Sequence, residues 1–396
     1  MKKLRLCALS LLTAAALLLP ALPARAEGLE VTAPSAVLME ASTGQVLFEK
    51  DPHALRSCAS ITKVMTLCLV FQALDSGQLS LDQTLTASAH AASMGGSDIW
   101  LEEGESMTVD DLIKATVIMS ANDAAVVLAE AVSGSEEAFV AQMNEKAQAL
   151  GMADTRFANP NGLDDENHYS TAADMAVLAA ACMDNELVAK IVSTKSATIG
   201  TRTFVNHNKL LSLYPECVGM KTGYTRSSGR TLVSAARRNG QLLLCVTLND
   251  PNDWEDHAAL FEYGFETYPR CLLASAGKTV GLVKTSGSLV PAVPVQTSEE
   301  VWYPLTESEQ VRAELKLPDG LQTPCRWVLG YSLWTGQSSG RPLWCVPPES
   351  IPIRHLGPVL WSGCGPCFPG RGSPPVHLKK EVPSWRNACK SCSPPP

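Results

Sequence analysis

Three short strings fall in one order along this chain: Ser60-Ile61-Thr62-Lys63, then Ser120-Ala121-Asn122, then Lys221-Thr222-Gly223. A fold that uses all three must bring a helix start, a junction between helices and a strand edge to one place. The first string offers a hydroxyl and, three residues on, an amine that a helix sets on the same face. Burial would lower the lysine pKa until a neutral amine can take the hydroxyl proton. A buried helix start also aims free backbone N–H groups at an incoming carbonyl oxygen. The second string adds a hydroxyl and an amide; its plainer reading is an N-cap pair for a helix opening at Asp123. The third adds a cationic strand end, where Gly223 would let a substrate backbone approach and Thr222 and Lys221 could hold a carboxylate. Its plainer reading is an edge strand ending in a turn. Each string alone is weak, as the chain itself shows: Ser275-Ala276-Gly277-Lys278 and Lys284-Thr285-Ser286 nearly copy the first and third. Those copies have no helical stretch between them, and Gly277 breaks the helix the first would need.

The residue patterns around the strings predict an α+β fold. Short strands over 35–40 and 45–49 flank a hairpin signal, and apolar spacing from Ser60 predicts a largely buried helix that ends at Asp75-Ser76-Gly77. Thr108-Val109-Asp110-Asp111 reads as a capping box ahead of a helix over 112–119. Further helices are predicted over 123–131, 136–150 and 171–183, and Asn159-Pro160-Asn161-Gly162 marks a loop. Strand runs over 218–224, 231–236 and 242–248 then lead to a helix over 253–267. The result is an antiparallel sheet begun near the N-terminus, interrupted by a helical insertion and completed much later. Beyond residue 272, strands over 279–284, 289–295, 300–304 and 310–317 suggest a small second β domain.

Bulk properties bound the function. With 45% hydrophobic and 18% charged residues in 396, the chain can build two cores. Lys2, Lys3 and Arg5 precede an apolar run over 6–19 and a small-residue site at Ala24-Arg25-Ala26, so residues 1–26 read as a cleavable export signal, too short to span a bilayer. The mature protein is therefore expected to be extracytoplasmic. Residues 27–323 carry 20 basic and 38 acidic side chains, against 8 and 2 in 324–396. An acidic body argues against a nucleic-acid partner. Six cysteines (Cys58, Cys68, Cys182, Cys217, Cys245, Cys271) are scattered through the body without framework spacing; they read mostly as buried thiols, with one disulfide left open.

The three strings, together with Arg56-Ser57-Cys58-Ala59 ahead of Ser60, Asn159-Pro160-Asn161-Gly162-Leu163-Asp164, Asn206-His207-Asn208-Lys209-Leu210-Leu211 and Gly219-Met220 ahead of Lys221, resemble the D-alanyl-D-alanine carboxypeptidases, the low-molecular-mass penicillin-binding proteins. The resemblance runs from about residue 33 to 323. It implies a β-lactamase/DD-peptidase-like sheet with flanking helices and a helical subdomain over 27–272, then a β domain over 273–323. It implies that Ser60 is acylated by the penultimate D-alanine carbonyl of a peptidoglycan stem pentapeptide, with Lys63 as base. Ser120, with Lys221 behind it, would pass the proton to the leaving amine; Asn122 would hold the substrate peptide and Thr222 its terminal carboxylate. The backbone N–H groups of Ser60 and Tyr224 would form the oxyanion hole. His207 stands where some relatives have a carboxylate-holding arginine, and Ser228 where alanine is usual. No metal or organic cofactor is implied, and β-lactam antibiotics become covalent inhibitors. The competing readings are a class A-like β-lactamase and a non-catalytic wall-binding or sensor protein.

The family's β domain is followed by an amphipathic helix on the membrane surface, and no such pattern appears here. Residues 324–396 hold 14 of 26 prolines, five of eight tryptophans and six cysteines. Cys364-Gly365-Pro366-Cys367 with Cys389 and Cys392 could be taken for a redox or zinc motif, but without strand patterning around it we read the segment as the product of a reading-frame shift near Pro324. An anchor-like helix in another frame of the source DNA is the expected finding.

Overall fold

The protein is described from a computed structural model covering residues 29–286, 291–309, 311–314, 321–322 and 332–335. The expected export signal and the CxxC-type pairs of the tail lie outside the described residues.

In chain order, β1 (Ser35–Glu40) and β2 (Val46–Lys50) form a hairpin, and a 3₁₀ turn (Ala59–Thr62) runs into α1 (Lys63–Asp75). The insertion follows: β3 (Thr84–Thr86), α2 (Ala89–Ala92), β4 (Ser106–Thr108), α3 (Val109–Lys114), a π turn (Ala115–Met119), α4 (Asn122–Ser133), α5 (Glu136–Ala149), α6 (Ala172–Met183), α7 (Glu186–Val192), β5 (Ser196–Ile199), β6 (Arg202–Val205) and α8 (Leu210–Leu213). The chain then returns to the sheet as β7 (Cys217–Thr225), β8 (Gly229–Arg238) and β9 (Gln241–Leu248), followed by α9 (Asp253–Thr267). The sheet order is β2-β1-β9-β8-β7, antiparallel throughout, which leaves β7 on an edge.

All eight residues of β9 are buried, although an exposed-face strand would alternate. The reason is a helix on each side: α6 packs on β1 and β9, and α9 packs on β8 and β9. Register carries this layering to the edge. Val37 faces Val246, Val246 faces Val233 and Val233 faces Lys221, so the Lys221 side chain continues a row of buried valines on one face of the sheet. On α1, Lys63 through Phe71 are all buried, which marks a helix surrounded by others rather than an amphipathic one; α4, α5, α6 and α7 surround it.

The predicted helices and strands of the body recur with shifts of a few residues, and two differences matter. Ser60 lies in the 3₁₀ turn before α1, not in the helix itself. The predicted helix over 112–119 is α-helical only to Lys114 and then widens into a π turn, which ends with Ser120 in the left-handed region (φ 61°). Thr108 does cap α3, its hydroxyl accepting from Asp111 N. The three- and four-residue strands β3 to β6 and the short helices α2, α7 and α8 were not predicted, being too short for periodicity to reveal.

Past α9, β10 (Arg270–Ala274) spans the expected boundary at 272 and pairs with β13 (Val301–Pro304). β11 (Thr279–Ser286) pairs with β12 (Ala292–Gln296) and, in parallel, with β15 (Leu321–Gln322). β14 (Val311–Glu314) pairs with β16 (Ser332–Thr335), a strand inside the segment expected to lack strand patterning. Ser275 and Lys278 sit at a turn and Lys284 on β11, so neither near-copy of the motifs has the setting of the original. Among the described residues no helix is long and apolar enough to cross a membrane, and no group of three metal-ligating side chains occurs.

Two buried histidines tie this fold to pH. His257 on α9 lies between Ser234 and Thr247 of the sheet, and burial lowers its pKa to about 3; burial lowers His168 to about 4. Below pH 6.5 the unfolded chain takes up protons that the folded chain refuses, so stability falls as pH drops toward 4. Each histidine should contribute about 3 kcal/mol of that loss. Melting temperatures at pH 7 and 4.5 should differ by many degrees, and His257→Asn should shrink the difference; a flat profile would contradict the assignment.

Candidate active site

The nucleophile turn is held in a conformation that few sequences adopt unaided. Ala59 has φ 49°, and the Ala59 carbonyl is crossed by Gly162 of the 159–164 loop. A Cβ on Gly162, itself at φ +85°, would lie 2.0 Å from that oxygen. Gly223 closes the other side: a Cβ there would meet Thr231 Oγ1 at 2.4 Å, Ser60 N at 2.9 Å and Ile61 N at 3.0 Å. Gly223 was expected to make room for substrate; its first requirement is to let β7 approach the turn that carries Ser60. Thr231 Oγ1 also donates to Cys58 O at 2.9 Å, tying β8 to the same turn.

Lys63 Nζ lies 3.0 Å from Ser60 Oγ, 2.6 Å from Asn122 Oδ1 and 2.6 Å from Asn161 O. Its side chain is fully buried, and none of the salt bridges among the described residues involves it. Burial first, and the neighbouring Lys221 charge second, hold its pKa well below the ordinary lysine value. A neutral amine has two hydrogens and one lone pair. Asn122 Oδ1 and Asn161 O can only accept, so they take the two hydrogens and leave the lone pair facing the Ser60 hydroxyl. Burial thus favours the neutral amine, and the two acceptors aim it at Ser60.

Ser120 is 4% exposed, and its hydroxyl has no hydrogen-bond partner among the described residues. The N-cap of α4 is Ala121, without a side-chain cap bond, so the plainer capping reading of this string fails. Asn122 is held at both ends: its backbone N donates to Ser97 O at 2.7 Å and its Nδ2 to Gly95 O at 2.7 Å, while its Oδ1 meets Lys63.

Lys221 is 2% exposed, and its Nζ donates to Thr222 O at 2.7 Å. Burial lowers its pKa to about 7. The residue before it, Met220, has φ 97°, so Ala59, Ser120 and Met220 put left-handed backbone beside or at each of the three strings. Such strain persists only where the surrounding structure imposes it, and it concentrates at functional sites. Thr222 is half-buried and Tyr224 is 66% exposed. His207 donates its backbone N–H to Ile118 O at 3.4 Å, and burial with the Lys221 charge lowers its pKa. It is therefore a neutral imidazole, able to offer one N–H where an arginine would offer a charge. Ser228 N–H donates to Thr225 Oγ1 at 3.1 Å and its hydroxyl accepts from Thr225 N at 3.0 Å, so this serine caps the turn between β7 and β8.

Sequence reasoning missed the roles of the 159–170 segment. Asn161 serves through its carbonyl, and Thr66 Oγ1 donates to Pro160 O at 2.5 Å. Asp164 accepts from Thr225 Oγ1 at 2.9 Å and from Ser57 Oγ at 3.4 Å, bracing the loop against both the nucleophile segment and the end of β7. His168 Nδ1 accepts from Ala158 N at 3.1 Å, which leaves Nε2–H to donate to Thr62 Oγ1 at 2.7 Å. The Asn-Pro-Asn-Gly turn signal and the family resemblance over 159–164 pointed to this loop, but not to these contacts.

The arrangement matches a known family. The family model described as D-alanyl-D-alanine carboxypeptidase, peptidase S11, matches residues 22–252. The chain belongs to the D-alanyl-D-alanine carboxypeptidases. Among curated relatives of this carboxypeptidase, DacF of Bacillus subtilis is 37% identical over 303 residues, covering 74% of this chain and 78% of that protein. DacA of Haemophilus influenzae is 31% identical over 341 residues, covering 83% and 84%. Among solved structures, penicillin-binding protein 5 of Haemophilus influenzae superposes with a TM-score of 0.69 at 28% identity, covering 78% of this chain and 94% of that one. The carboxypeptidase is accordingly a serine-type hydrolase of α+β fold and a penicillin-binding protein, in preference to a β-lactamase or a non-catalytic wall binder.

Proposed function

We propose that Ser60 is the nucleophile of this carboxypeptidase and Lys63 its general base, acting on the D-Ala-D-Ala terminus of a peptidoglycan stem peptide. The observation that carries the reading is the fully buried Lys63 amine, 3.0 Å from Ser60 Oγ and 2.6 Å from each of two groups that can only accept, Asn122 Oδ1 and Asn161 O. As Oγ attacks the penultimate D-alanine carbonyl, its proton passes to Nζ. The tetrahedral oxyanion is received by the backbone N–H groups of Ser60 and Tyr224. The unpartnered Ser120 hydroxyl relays a proton to the departing D-alanine, with Lys221 behind it. Asn122 holds the substrate peptide, and Thr222, Lys221 and His207 receive its carboxylate. Water then hydrolyses the ester. β-Lactams enter the same path and stop at the acyl-enzyme.

Residues 1–26 are a cleaved export signal on this reading, residues 27–272 the catalytic domain and residues 273–323 the start of a β domain. The enzyme works on the outer face of the cytoplasmic membrane or in the wall. Incubating the mature protein with a synthetic stem pentapeptide should release free D-alanine, and penicillin should leave a long-lived adduct on Ser60. Rapid antibiotic turnover or absence of D-alanine release would overturn the reading.

The lysines set the pH dependence. Acylation requires neutral Lys63, so it falls as acid protonates that amine, while carboxylate attraction requires charged Lys221, which loses its proton as pH rises through about 7. The profile of kcat/KM should be bell-shaped, with an alkaline limb near neutrality. Lys221→Arg, whose charge persists, should move that limb upward; an unmoved limb would assign it to another group.

A further inference from the structure

The body cysteines are free thiols, and two of them meet. Cys68 lies on α1, five residues past Lys63, and Cys182 lies on α6, which packs against α1. Cys182 Sγ donates to Val64 O at 3.6 Å. In an α-helix, Val64 O is the carbonyl that receives the amide of Cys68, so this contact sets the Cys182 sulfur beside the turn that carries Cys68. The neighbouring thiol, ahead of burial, raises the pKa of Cys182 and lowers that of Cys68. Cys58 Sγ, by contrast, turns to Arg56 O and Cys271 Sγ to Pro269 O.

We propose that Cys68 and Cys182 are a disulfide-forming pair that staples the helix carrying Lys63 to the helix beneath the sheet. The co-reactant is a disulfide oxidant, either a small-molecule disulfide or a dithiol oxidoreductase. The Cys68 thiolate attacks one oxidant sulfur, forming a mixed disulfide and releasing the other sulfur as thiolate. Cys182 loses its proton and attacks the Cys68 sulfur, closing the protein disulfide and releasing the second oxidant thiolate. Two protein thiols are oxidised, one disulfide is reduced and two protons leave. With Cys68 and Cys182 7% and 2% exposed, the exchange belongs to folding, before the helices seal. Its occurrence in the cell rests on the proposed export to an oxidising compartment. The chemistry of the pair does not, so the two can fail separately.

The test refolds the purified full-length chain with oxidised and reduced glutathione, or with dithiothreitol alone, followed by alkylation and tryptic digestion without reduction. The expected product is a species joining peptides 64–114 and 157–190, absent after dithiothreitol and absent in both Cys68→Ser and Cys182→Ala. The oxidised wild type should melt roughly 5–10 °C above the reduced form, with no such difference in either variant. Recovery of both peptides fully alkylated from the oxidising arm, or a disulfide joining either cysteine to another, would overturn the proposal. Linkage in the purified protein with free thiols in protein taken from cells would instead reject the exported location.

Discussion

Lys63→Arg should reduce the rate of acylation by labelled penicillin roughly 10²- to 10⁴-fold, as far as Lys63→Met does. Arginine keeps hydrogen-bond donors for Asn122 Oδ1 and Asn161 O but never offers a lone pair at neutral pH. Methionine fills the space without either function. If the lysine acted only as a cation orienting Ser60, arginine would retain much of the activity. Stopped-flow acylation at pH 7, beside a melting curve for each variant, separates loss of chemistry from loss of fold. Comparable rates for Lys63→Arg and wild type would sink the neutral-amine mechanism.

Gly162→Ala should be strongly damaging although it lies outside the three strings. Its Cβ would sit 2.0 Å from Ala59 O on a backbone at φ +85°, so the 159–164 loop must withdraw. Withdrawal removes Asn161 O from Lys63 and loosens the turn that presents Ser60. The expected cost is about 2–4 kcal/mol of stability. Acylation should fall more steeply than stability, because the base loses one of the two acceptors that orient it. A variant that melts low yet acylates at the wild-type rate, measured well below its melting point, would show that the loop supports the fold and not the base.

What could be read in the sequence was whatever depends on spacing. The three-residue step from Ser60 to Lys63, and strand runs with hairpin-length connections for β7 to β9, specify local geometry that the folded chain keeps. Thr108 could be recognised as a cap because its partner amide is three residues away. The Asn161 carbonyl could not, because its role is a backbone atom reaching a side chain 98 residues away, and any residue has a carbonyl. The π turn ahead of Ser120 was hidden as well: the apolar spacing over 115–119 reads as a continuing helix and does not distinguish a π turn from an α-helix. Gly223 was recognisable as a place needing room, but the identity of the neighbour, the Ser60 amide, is a tertiary fact. The pairing of Cys68 with Cys182 was one of many open combinations until α1 and α6 were placed together.

The sheet's connectivity has a consequence for biogenesis. Ser35 of β1 lies opposite Leu248 of β9, so the first hairpin has no neighbour in the sheet until more than half of the protein has been made. Contacts so distant along the polypeptide close slowly. The sheet therefore closes only once its central strand has been made, and the site on its edge is completed late in synthesis.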